Sequence, residues 1–143
     1  MKSNIILFVS LLMASCGGGG SAGSVAPERP VATVSGTAFD GLIINGDVSI
    51  FDFSDGVRGE ILSSGNTDGI GNYSLTIKSS DIPILICIDK GRYIEDASGR
   101  NIPLTTNQEV CAVHNYISGE SLSTSLTYFT HLSAGLTEYL VSV

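Results

Sequence analysis

Turn-forming dipeptides recur along the middle of this chain at intervals too short to leave room for a long helix. Asp40-Gly41, Asn45-Gly46, Asp55-Gly56, Asp68-Gly69, Gly71-Asn72 and Ser98-Gly99 each join glycine to a residue that stabilises or tolerates a tight turn. Glycine makes up 17 of 143 residues, well above the usual share of about 7%. The segments between the turns must therefore be short and extended.

Their side chains alternate as half-buried strands require. In Asn72–Lys78, Tyr73, Leu75 and Ile77 point one way and Ser74, Thr76 and Lys78 the other. Asp47–Phe53 sets Val48 and Ile50 against Ser49, Phe51 and Phe53, and Val57–Leu62 sets Val57 and Ile61 against Arg58 and Glu60. In Ser121–Leu126, Leu122, Thr124 and Leu126 alternate with serines. Strands this close in sequence predict an all-β sandwich or barrel over residues 31–126.

Ile82–Val113 reads as one long hairpin: a strongly apolar strand Ile84–Ile88, a tip near Asp96–Arg100, and an apolar return Glu109–Val113. Cys87 and Cys111 are equidistant from Gly99, so an antiparallel register centred there sets them opposite each other. In an exported protein such a pair is expected to form a disulfide; the other reading is two buried free thiols. No CxxC spacing accompanies them, and with only His114 nearby they do not make a zinc site.

The period changes after Leu126. Phe129, Leu132, Leu136 and Leu140 recur at three- and four-residue intervals, predicting an amphipathic α-helix over 127–143 with Thr127 as N-cap. That stripe needs something to pack on, either the sandwich or another chain, and is a candidate binding surface.

The N-terminus supplies the address. Lys2, the apolar run Ile5–Met13 and the small residues Ala14 and Ser15 form a secretory signal, since spanning a bilayer takes roughly 20 apolar residues. Leu12, Met13, Ala14, Ser15 and Cys16 together resemble the lipobox of bacterial lipoproteins. The resemblance implies cleavage of the helical signal segment 1–15 and acylation of Cys16 with palmitate-like chains. It also implies anchoring of the mature chain to the membrane. Gly17 rather than Asp after the cysteine implies transfer to the outer membrane. Residues 16–30 would be the lipidated cysteine and a flexible Gly/Ser/Pro tether.

A second resemblance lies in Val34–Ile77. Val34-Ser35-Gly36, Gly46–Asp52 and Thr67-Asp68-Gly69-Ile70-Gly71-Asn72-Tyr73-Ser74-Leu75 resemble the carboxypeptidase regulatory-like, or transthyretin-like, module. Its turn before the last strand reads Thr-Asp-x-x-Gly-x-Tyr/Phe-x-Leu, which Thr67, Asp68, Gly71, Tyr73 and Leu75 match. The resemblance implies an antiparallel transthyretin-like or immunoglobulin-like β-sandwich. Tyr128–Ala134 is similar to the Thr-Pro-Leu-Thr-x-Leu-Ala stretch that follows such modules in larger bacterial surface lipoproteins, departing from it at the proline. That similarity implies either a shortened relative of such proteins or the N-terminal part of a longer surface protein.

Catalysis finds little support. His114 and His131 are the only histidines, in no HxxxH or HExxH pairing, and no GxSxG elbow exposes a serine. Asp52, Asp55 and Glu60 could gather at one end of a sandwich, where acidic loop residues are ordinarily solvated. Asp68–Asn72 lacks the alternating oxygen ligands of a calcium loop, so Asp68 is read as turn-forming. Lys78 and Lys90 lie outside the first strand, where isopeptide-linked modules keep their lysine. With 14 acidic and 7 basic residues, nucleic acid is an unsuitable partner. The expectation is a non-catalytic, cofactor-free envelope lipoprotein in a structural, adhesive or docking role, with an envelope protein or glycan as partner. The alternative is a carbohydrate- or peptide-binding accessory module of a nutrient-uptake system, with Phe51, Phe53, Tyr93 and Tyr116 as its aromatic candidates. A glycan-binding role predicts aromatics exposed together on one face; a docking role predicts an exposed stripe along the helix.

Overall fold

The computed structural model describes residues 31–142, apart from 40, 79, 80, 96, 106 and 107. The signal segment 1–15, Cys16 and the tether to residue 30 lie outside the described residues. The clearest alternating run forms the clearest strand: β4 (Asn72–Lys78) buries Tyr73, Leu75 and Ile77 and exposes the residues between. Its antiparallel neighbour β1 (Val31–Thr37) sets Val34 opposite Leu75 and Gly36 opposite Tyr73. On its other side β1 pairs with the two-residue β9 (Leu122–Ser123), and this pairing is parallel, which alternation alone does not reveal.

The second sheet is antiparallel throughout, in the order β3 (Ile61–Asn66), β2 (Asp47–Asp52), β5 (Ile82–Asp89), β8 (Glu109–Tyr116). The register of β5 with β8 sets Cys87 opposite Cys111, and between those strands β6 (Arg92–Ile94) and β7 (Asn101–Pro103) form a small hairpin of their own. One buried cluster joins Val34, Leu75 and Ile77 of the first sheet to Val48, Ile50, Ile84, Ile86, Ile88, Val110 and Ala112 of the second, so the two sheets share a core.

The helix α1 (Tyr128–Val141) lies against the opposite face of the four-stranded sheet, with Ala134 packed among Phe53, Leu85, Cys87 and Cys111. This third layer explains the apolar run of β5. Ile84, Ile86 and Ile88 enter the core between the sheets while Leu85 and Cys87 lie under the helix, so both faces of the strand are covered. Thr127 caps the helix as its position predicts: its Oγ1 accepts from Thr130 N at 3.2 Å, and Thr127 N donates to Thr130 Oγ1 at 2.8 Å.

Two strand expectations need correction. Val57–Leu62 does not form a strand; β3 begins at Ile61, and both Val57 and Ile61 are exposed. The register of β2 against β3 shifts between Ile50 and Phe51, and Asp52 closes the connection by bonding to Gly59 and Glu60 through its backbone. Ser121–Leu126 is regular only over β9; Thr124 N and Leu126 N continue the contact by donating to Ser35 O and Thr37 O of β1.

Candidate functional site

At about 100° per residue, Phe129, Leu132, Leu136, Tyr139 and Leu140 fall in one sector of α1. Thr130, His131, Ala134, Thr137 and Glu138 fall in the opposite sector, which is the half-buried to buried side. The helix therefore turns its small and polar residues to the sheet and its large apolar ones to solvent. Their exposure runs from 58% at Leu136 to 84% at Phe129, values ordinarily seen for polar surface residues. The four stripe residues Phe129, Leu132, Leu136 and Leu140 thus share a solvent face, and the sandwich does not cover them. Tyr139, absent from the sequence-based stripe, completes it; its place three residues after Leu136 was the available signal.

The sheet surface beneath explains this orientation. Cys87 and Cys111 are joined as a disulfide, with Cα atoms 4.1 Å apart, on the helix side of β5 and β8. The side chain of Ala134 is small enough to rest on them. Arg58, from the loop before β3, reaches the edge of the same surface. Its Nη2 donates to Glu109 Oε1 at 2.7 Å and lies 3.4 Å from Cys87 Sγ, while its guanidinium carbon sits 4.9 Å from the Phe51 ring centroid. Arg58, Glu109, Cys111, His131, Gly135 and Glu138 line a cavity of about 30 Å³, room for about one water. A leucine in place of Ala134 would meet the disulfide, and burying the leucine stripe here would bring large side chains against an ion pair.

Cys87, Glu109 and Cys111 bring potential ligand atoms within 4.8 Å of one another. The two sulfurs are bonded to each other and are not thiolates, and the Arg58 guanidinium already supplies a cation to the same group. The arrangement suits an arginine rather than a metal ion.

The remaining candidates serve local structure. Asp52 accepts from Ser54 N at 2.7 Å, and these Ser54 hydrogen bonds hold its carboxyl below the usual range; Asp55 and Glu60 are exposed in the same loop. Asp68 Oδ1 accepts from Asn72 N and Ile70 N at 2.9 Å each, which lowers its pKa, and Gly71 turns the chain at φ 76°. That is the Asx geometry of a turn. His114 sits on β8 beside Thr124 Oγ1, with burial pushing its pKa down. Among the described residues His131 Nδ1 is buried without a hydrogen-bond partner. Lys90 pairs with Asp47 at 2.6 Å. Among the aromatic candidates, Phe53 and Tyr116 are buried and Phe51 and Tyr93 half-buried, on different sides of the sheets.

Among the described residues no helix is long and apolar enough to cross a membrane. No family model matches the chain. No curated protein matches it either. Among solved structures, it is similar to the 9R-lipoxygenase of Cyanothece PCC8801 at 12% identity and a TM-score of 0.35, over 70% of this chain and 17% of that one. A likeness of that size says nothing about the fold or chemistry of this chain.

Proposed function

We propose that this chain is a non-catalytic lipoprotein of the bacterial outer membrane, anchored through Cys16, whose transthyretin-like or immunoglobulin-like β-sandwich presents α1 as a docking surface. The observation that carries the docking role is the outward apolar face of that helix. Exposed apolar patches larger than a few hundred Å² are rare on monomers and mark interaction sites. The five side chains concerned carry no charge, while the chain as a whole has a formal net charge of −7. The lipobox at Leu12–Cys16 supports the anchor, and the turn Thr67–Leu75 supports the carboxypeptidase regulatory-like reading of the sandwich.

Glycan recognition has weaker support. It calls for aromatic side chains gathered closely on an exposed face; Phe53 and Tyr116 belong to the interior, and the exposed Phe129 and Tyr139 stand about 15 Å apart along α1 with leucines between them. Docking is tested in isolated envelopes with single-cysteine variants of the full chain. With Cys16 acylated and Cys87 bonded to Cys111, an introduced cysteine is the free thiol available to a soluble maleimide. Leu136→Cys is expected to react at least about tenfold more slowly than Thr76→Cys, which lies on the exposed face of β4. Equal reactivity at the two positions would sink the docking role. Intact mass of the membrane-extracted chain tests the anchor, which fails if residues 1–15 remain or acyl chains are missing.

A further inference from the structure

The partner that fits the helix face is a second copy of this chain. We infer that two copies pair through α1 in an isologous, antiparallel contact, an assignment that rests on the docking role proposed above.

Self-complementarity is the first argument. A two-fold axis passing near the middle of the exposed face, at the level of residue 134, sets Phe129 opposite Tyr139 of the second copy and Leu132 opposite Leu136 of the second copy. Each pairing then occurs twice, as an isologous contact demands. Large aromatic rings meet at both ends and leucines meet in the middle, with spacings of three and four residues that suit knobs-into-holes packing.

Charge is the second. A chain with 14 acidic and 7 basic residues repels its own copies over most approaches. The exposed sector of α1, which holds Phe129, Leu132, Ser133, Leu136, Tyr139 and Leu140, has no ionised side chain. It offers two copies a contact without like charges facing each other. An acidic chain and a helix without Lys or Arg are poorly suited to an anionic lipid surface, which is the competing apolar cover.

Area is the third. Five aromatic and leucine side chains at 58–84% exposure leave on the order of 600 Å² per copy to be covered. Two copies would bury about 1,200 Å², the lower end of specific interfaces. If both copies are held by Cys16 in one membrane leaflet, tethering raises their effective concentration, so an interface of that size suffices.

The test uses two full-length copies bearing different epitope tags after Gly20, co-expressed and solubilised from the envelope. One copy is expected to co-purify with the other, and Leu136→Glu in both should reduce recovery about tenfold, with Thr76→Glu as the unaffected control. Failure of the wild-type copies to co-purify overturns the pairing, as does recovery that Leu136→Glu leaves unchanged. The maleimide experiment separates the two claims. Protection of Leu136→Cys without co-purification leaves docking standing with a different occupant, and the loss of both removes docking as well.

Discussion

Gly36 shows how closely the two connections around β1 pack. A Cβ built on it would lie 1.5 Å from Thr124 O and 2.9 Å from Tyr73 Oη. Thr124 is held there from both sides, its N–H donating to Ser35 O and its carbonyl accepting from the Tyr73 hydroxyl at 2.9 Å. Backbone cannot yield as a flexible side chain can, so Gly36→Ala should destabilise the chain by about 3 kcal/mol. Gly135 is the opposite case: among the described residues nothing outside its own turn of helix lies within 4 Å of an added Cβ, and its backbone is ordinary helix. Gly135→Ala should therefore stabilise by roughly 1 kcal/mol. Urea denaturation of the two variants beside wild type checks both signs. In the sequence both positions are simply glycines, one at a strand end and one within an apolar-periodic run. What separates them is the distance to a chain segment 88 residues away in the first case.

At the scale of elements, the β5–β8 pair and α1 depend on one another. The disulfide closes a separation of 24 residues and forms part of the floor on which Ala134 rests. Replacing both cysteines by alanine should cost about 3 kcal/mol, read from denaturation midpoints, with amide exchange in α1 accelerating together with the loss. The reversed helix predicts an unusual order of sensitivity within α1 itself. Ala134→Leu should cost about 1–3 kcal/mol, because the larger side chain meets the sulfurs and Leu85. Leu136→Glu should alter the stability of a single copy by no more than about 0.5 kcal/mol. A leucine-to-glutamate change that costs more than the alanine-to-leucine change would mean that the apolar face packs on the sheet after all.

For the whole molecule, the shifted groups define a stability plateau. Burial keeps the folded-state pKa of His114 below its usual value, so the unfolded chain binds the proton first and stability declines as pH falls below about 6.5. Asp47, Asp52 and Asp68 have depressed carboxyl pKa values from their hydrogen-bond partners and add to the loss below about 4. On the alkaline side Lys90, raised by Asp47, and the Tyr73 phenol, raised by burial, favour the folded state below about 10 and lose that contribution as pH rises through their folded values. Thermal midpoints should be flat from about 6.5 to 10, and His114→Gln should flatten the first part of the decline below about 6.5. A decline unchanged in that variant would assign it to other groups. Several features of this architecture were legible in the linear chain because they depend on local spacing. The face of β4, the opposition of Cys87 and Cys111, the Thr127 cap and the apolar period of α1 are of this kind. Even the stripe of the candidate surface could be counted out, apart from Tyr139. The side of the sheet on which the disulfide lies, the parallel course of β9, the late start of β3 and the outward turn of the helix were decided by tertiary structure. Each depends on what stands across the gap, and for α1 the disulfide and the Arg58–Glu109 pair accept small and polar side chains and leave the leucines outside. A periodic sequence determines that a helix has an apolar face; only the surface it meets determines where that face points.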